Sequence, residues 1–112
     1  MMMARGNGPS IKLTEAALLR QIRDLLNHVA NRENLTYSRI HQGLGCEPGI
    51  ADIVGCKGGR FFAIEVKSTT GKLSKAQERW LKRYEEVNAI VIVARSTQDV
   101  IDGLGLKFIW DS

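Results

Sequence analysis

The chain has 112 residues, 44% of them hydrophobic and 25% charged, with a formal net charge of +4. That length suits one globular domain and leaves no room for a separate base-reading module. No apolar run approaches the roughly 20 residues of a membrane span, the first residues lack the apolar stretch of a signal peptide, and the positive charge suits a polyanionic partner.

A cytoplasmic location with no membrane attachment is expected, with residues 1–12 a flexible N-terminus and 13–112 one domain. The two cysteines, Cys46 and Cys56, are too few for a four-cysteine zinc site, and His28 and His41 do not stand at zinc-finger spacing. Free reduced thiols are expected for such a location, with a disulfide between the two as the alternative.

From Leu13 to about Ala30 the chain reads as a helix. Leu18, Leu19, Ile22, Leu25, Leu26 and Val29 recur at the helical period, and Thr14 is an N-cap. Glu15 falls on the same apolar stripe, because Leu18, Leu19 and Ile22 follow it at helical spacing. A carboxylate there is costly unless it is paired or metal-bound. The alternative is a first-turn acid that complements the helix dipole from solvent.

Asn31–Asn34 breaks the pattern, and Leu35–Ile40 reads as a strand with Leu35, Tyr37 and Arg39 on one face. His41–Gly49 is a glycine-rich loop closed by Pro48-Gly49. His41 is a candidate substrate contact there, or a surface residue. Two strands follow, Ile50–Val54 and Phe61–Lys67, joined by Gly55-Cys56-Lys57-Gly58-Gly59, a hairpin signal. Ser74 opens a second helix to about Val87, with Leu73, Trp80, Leu81, Tyr84 and Val87 on its apolar face. Gln77 shares that face. Ser74-Lys75-Ala76-Gln77 also has the form of a capping box, which offers the glutamine a structural role. Ala89–Ala94 is a β-branched run that reads as a central strand buried on both faces. Ser96–Asp99 caps a short helix through Asp102, ended by Gly103 or Gly105. Lys107–Trp110 reads as a small extra strand or an apolar tail that could meet a second subunit.

The chemistry concentrates between Asp52 and Lys67. Alternation on a strand sends Glu65 and Lys67 to one face and Val66 to the other, with Phe62 and Ile64. A hairpin lays Asp52 beside Glu65. Two adjacent carboxylates repel and raise each other's pKa unless a cation lies between them. A hard divalent ion with oxygen ligands resolves this, and Lys67 would then stand beside the ion and a phosphate. An E-x-K alone is weak, because a solvated ion pair has the same spacing.

The set Glu15, Asp52, Glu65-Val66-Lys67 and Gln77, carried on GIADIVG, GGRFFAIEVK and GKLSKAQ, resembles the PD-(D/E)xK nuclease superfamily. Within it the chain is similar to the virus-type replication-repair nuclease (VRR-NUC) family, over about Leu13 to Leu104. Ala51 departs from the superfamily pattern, which has proline before the aspartate, at a position that carries no chemistry. The resemblance implies an α/β, restriction-endonuclease-like core: a mixed central sheet flanked by helices in the order αβββαβα. It implies a Mg2+- or Mn2+-dependent endonuclease that hydrolyses phosphodiester bonds at four-way (Holliday) junctions or other branched DNA, acting as a homodimer in repair. Asp52, Glu65 and the Val66 carbonyl would hold the metal, and Glu15 would reach it through water. Lys67 would be the catalytic lysine, with Gln77 holding it or the attacking water. Lys72, Lys75, Arg60 and Arg39 are candidate phosphate contacts. A DNA-binding accessory module without catalysis is the alternative that the basic charge also allows.

Overall fold

The computed structural model describes residues 13–107. Their elements are α1 (Glu15–Val29), β1 (Leu35–Arg39), β2 (Ile53–Lys57), β3 (Arg60–Val66), α2 (Lys75–Glu85), β4 (Ile90–Ala94) and α3 (Thr97–Leu104), the αβββαβα order. The strands form one mixed sheet in the order β1-β2-β3-β4. β1, β2 and β3 are antiparallel, and β4 joins β3 in parallel after the α2 crossover. Among the described residues no helix is long and apolar enough to cross a membrane. The N-terminal segment 1–12 and Phe108–Trp110 of the expected tail lie outside the described residues.

Helix α1 begins where the capping signal places it. The Thr14 hydroxyl accepts a hydrogen bond from the Ala17 amide at 3.0 Å, a cap worth about 1 kcal/mol. Its stripe of Leu18, Ile22, Leu25, Leu26 and Val29 is buried. These residues pack with Ile53, Phe62, Ile64 and Val66 from one face of the sheet, and with Val100 and Leu104 of α3. Ala63, on the other face, joins Ala51 and the buried Trp80 and Leu81 of α2 in a second, smaller cluster. The sheet is thus covered by α1 and α3 on one side and by α2 on the other.

Several details differ from the sequence reading, and β2 itself runs Ile53–Lys57 where that reading has Ile50–Val54. The β2–β3 turn is only Gly58-Gly59, both at positive φ (56° and 88°), as a tight two-residue hairpin requires. Gly55 lies inside β2 opposite Phe62. A Cβ there would come within 2.5 Å of the Phe62 ring and 2.4 Å of the Thr36 carbonyl. That glycine makes room for an aromatic ring instead of turning the chain. Strand β4 is the last strand of the described sheet, not a central one. Helices cover both of its faces, so its composition reports two packed faces and nothing about its lateral neighbours. Helix α2 stops at Glu85, and Val87 is 74% exposed. Helix α3 runs on to Leu104 and ends at Gly105 (φ 63°), with Gly103 inside it, where a Cβ would lie 2.6 Å from Ile92.

Candidate active site

The β2–β3 register carries the site. Ile53 pairs with Ile64, so one further step sets Asp52 opposite Glu65. The Asp52 carboxylate accepts a 2.7 Å hydrogen bond from the Val66 amide, which fixes its side chain against the end of β3. Its main-chain carbonyl accepts from the Ile40 amide at 2.8 Å.

Glu65 is 2% exposed. Its Oε2 accepts from the Gln77 side-chain amide at 3.1 Å. No donor reaches Oε1, although that atom is buried. Burial pushes the carboxyl up to about 8, the Asp52 charge beside it adds to the rise, and the Lys67 ammonium acts against it. A smaller upward push comes from Glu15. Asp52, Lys67 and Glu15 thus all act on the Glu65 carboxyl.

Gln77 both caps α2 and reaches Glu65. Its side-chain oxygen accepts from the Ser74 amide at 2.9 Å, while the Ser74 hydroxyl accepts from the Gln77 amide at 3.1 Å. The capping box holds the side chain in place, and the NH2 group that capping leaves free donates to Glu65. Glu15, in the first turn of α1, is exposed yet tied to the site: its Oε2 accepts from the Ser68 amide at 3.2 Å. Glu15, Ala16, Leu19, Asp52 and Val66 line a cleft of about 190 Å3. Lys67 is half-buried just past the end of β3, and its amide donates to the Ala94 carbonyl at 3.0 Å. Among the described residues no three acidic, histidine or cysteine side chains gather closely enough to hold an ion by themselves.

The basic candidates separate. Lys72 and Lys75 are exposed just before and at the start of α2, the end that carries Gln77. Arg39 is exposed at the end of β1, next to Ile40 and hence to Asp52. Arg60 opens β3 at the hairpin end, roughly 20 Å from Val66 by strand rise, where its Nε donates to the Asn88 carbonyl at 2.9 Å. His41 is exposed, and its carbonyl accepts from the Cys46 thiol at 3.2 Å. Cys46 and Cys56 are both free.

Two residues of the 41–49 loop make contacts that carried no sequence signal. The Gln42 amide donates to the Ile50 carbonyl at 3.0 Å and, more weakly, to Asp52 Oδ1 at 3.4 Å. Glu47 accepts from Trp80 Nε1 at 3.2 Å and from Arg83 at 2.7 Å; the Arg83 hydrogen bond holds its carboxyl below the usual range. Gly49 lies so close to α2 that a Cβ would come within 2.2 Å of the Ala76 carbonyl. Asp52, just before β2, is thus approached from a loop seated on α2.

The family model of the VRR-NUC domain matches residues 10–98. The chain belongs to the VRR-NUC family. A solved structure described as a VRR_NUC domain superposes with a TM-score of 0.60 at 16% identity, covering 80% of this chain and 96% of that one. At that identity the match speaks for the fold alone. No curated protein matches the chain. Membership in VRR-NUC makes the chain a member of a nuclease family, for which DNA is the implied partner.

Proposed function

We propose that this VRR-NUC chain is a divalent-metal-dependent, structure-selective DNA endonuclease that hydrolyses phosphodiester bonds at four-way junctions or other branched DNA. The observation that carries this reading is Glu65. A carboxylate buried against a second carboxylate, with one oxygen left without a donor, is unfavourable unless a proton or a cation completes it, and a cation can take the proton's place. The neighbouring donor set is all oxygen, which fits Mg2+ or Mn2+. Asp52, Glu65 and the Val66 carbonyl would hold the ion, and Glu15 would reach it through water. Bound there, the ion would supply charge neutralisation at the scissile phosphate and a more acidic water.

The chain's own groups do the rest. Gln77 orients Glu65 by holding Oε2, and Oε1 is left without a donor. The Val66 amide holds Asp52 at Oδ2. Lys67 places a positive charge beside the carboxylates, where it stabilises negative charge growing on the phosphate and on the attacking water as that water loses its proton. Lys72, Lys75 and Arg39 ring the site as phosphate contacts. A homodimer would offer two such sites to a junction of two-fold symmetry.

The test uses labelled four-way junction, flap and plain duplex, each with Mg2+, Mn2+ or chelator, and sizes the products. Cutting of branched substrates is expected with metal only, and Lys67→Ala and Asp52→Ala should abolish it while the circular dichroism spectrum and melting temperature hold. Unchanged cutting by either variant would reject this reading. Metal-independent binding without nicking under any condition would favour the non-catalytic module.

A further inference from the structure

Lys67 is followed by a turn that is neither helix nor strand, yet it is tied down from three elements. The backbone ladder between β3 and β4 ends with the Lys67 amide on the Ala94 carbonyl. Past that rung a side chain takes over. Arg95, the residue after β4, donates from one guanidinium nitrogen to the Ser68 carbonyl at 2.5 Å and to the Gly71 carbonyl at 2.7 Å. The Arg95 amide in turn donates to Asp99 of α3 at 2.8 Å. The Gly71 amide donates to the Ser68 hydroxyl at 3.0 Å, closing the turn. From the opposite side Glu15 of α1 accepts the Ser68 amide.

The inner surface of this turn touches two site groups at once. A Cβ built on Gly71 would lie 3.2 Å from Glu15 Oε2 and 3.6 Å from Lys67 Cδ. The turn is therefore the wall against which both the Lys67 stem and the Glu15 carboxylate rest. A guanidinium has several donors in a rigid fork, so it can hold two carbonyls in fixed relation where backbone pairing has run out. We propose that Arg95 is a positioning residue: through the Ser68–Gly71 turn it sets Lys67 and Glu15 relative to each other. The inference rests on the nuclease reading for what those two groups do, and on hydrogen bonds alone for what Arg95 does.

Two readouts separate these layers. Amide hydrogen exchange reports whether Arg95 holds the turn, and junction cleavage at saturating Mg2+ reports whether the turn matters to the reaction. Arg95→Gln should speed exchange at Ser68 and Gly71 by about tenfold or more, leaving the buried amides of α1 unchanged. It should lower kcat by about 10- to 100-fold, the scale of a misplaced reacting group, with KM for DNA within about twofold. Arg95→Lys, which keeps a charged donor, should recover part of kcat. Gly71→Ala crowds Ser68 Oγ, at 3.0 Å, and Glu15 from within. It should lower kcat with Arg95 intact, and the double variant should lose less than the product of the single losses. Arg95→Lys and Gly71→Ala carry the test should Arg95→Gln not fold. Unchanged exchange at Ser68 and Gly71, or faster exchange there with kcat unaltered, overturns the proposal, as does a loss spread evenly over the whole sheet. A wild-type chain that cuts nothing in any metal rejects the nuclease reading instead, and the exchange arm still decides the role of Arg95 in the turn.

Discussion

Two glutamates are buried among the described residues, one at each end of the sheet, and they are treated in opposite ways. Glu33, 7% exposed, accepts the Lys107 amide at 3.0 Å and stands 3.7 Å from both Lys57 Nζ and Arg32 Nε. Glu65, 2% exposed, has one amide donor, a bare second oxygen and two carboxylates for company, with Lys67 as the counterweight. A buried charge has to be compensated. At Glu33 the chain supplies the cations itself, and the residue ties the α1–β1 connection to the start of the C-terminal segment. At Glu65 the compensation is incomplete, which is what a site that takes up a cation from solution needs. Burial alone does not mark function; burial with an unmet partner does.

The comparison is broken most sharply by neutralising each acid. Glu65→Gln should lower junction cleavage by a factor on the order of 10^2 to 10^3, measured at saturating Mg2+. Glu33→Gln should leave cleavage within a few-fold and instead cost about 1–3 kcal/mol of unfolding free energy in urea, because Lys57 and Arg32 lose their counter-charge and the Lys107 amide keeps only a neutral acceptor. If Glu33→Gln silences cleavage at unchanged stability, the distinction fails.

The next effect is in pH. The folded-state pKa of Glu65, about 8, lies above its ordinary value of 4.5. Between those values the folded chain keeps a proton that the unfolded chain releases. Without metal, stability should therefore fall as pH rises from about 5 towards 8, then level off. Melting curves in chelator at pH 6 and pH 9 check this, and Glu65→Gln should flatten the difference. Mg2+ has to displace that proton, so the stabilisation it provides should grow over the same range.

A smaller pair of effects separates the two duties of Gln77. Gln77→Ala removes both the cap partner and the Glu65 donor. It should cost about 0.5–1 kcal/mol of stability in urea unfolding and reduce cleavage. Gln77→Glu keeps a capping oxygen but replaces the donor with a third anion, so cleavage should fall while α2 stays capped. The smallest effect is expected at Arg60→Gln, under about 0.5 kcal/mol in stability and under about twofold in cleavage. A larger loss of cleavage would bring DNA to the hairpin end of the sheet and with it the whole length of β3.

Much of this was legible in order along the chain. The period of Leu18, Ile22, Leu25 and Val29 named the buried face of α1, and Thr14 named its start. Alternation in β3 separated Phe62, Ile64 and Val66 from Glu65. Glu15 and Gln77 stood out because polar groups sat on apolar stripes, and both touch the site. Gly55 was misread because a glycine that admits a ring and a glycine that turns a chain look alike in one dimension. The position of β4 at the edge was hidden because facial burial and lateral pairing are independent. Gln42 and Arg95 gave no signal, since a long side chain that bonds to main-chain carbonyls leaves no periodicity.

The sequence by itself determined the order of the elements and most of their buried faces, because periodicity and capping are local and are written in neighbouring residues, while the grouping of the acids with Lys67 and Gln77 came from the family resemblance. Only the tertiary structure decided how these groups are completed: which oxygen of Glu65 lacks a donor, that one amide both caps α2 and holds Glu65, and that Arg95 grips the turn after Lys67. Those facts depend on distances between residues far apart in the chain, and such distances exist only once the sheet has closed between its helices.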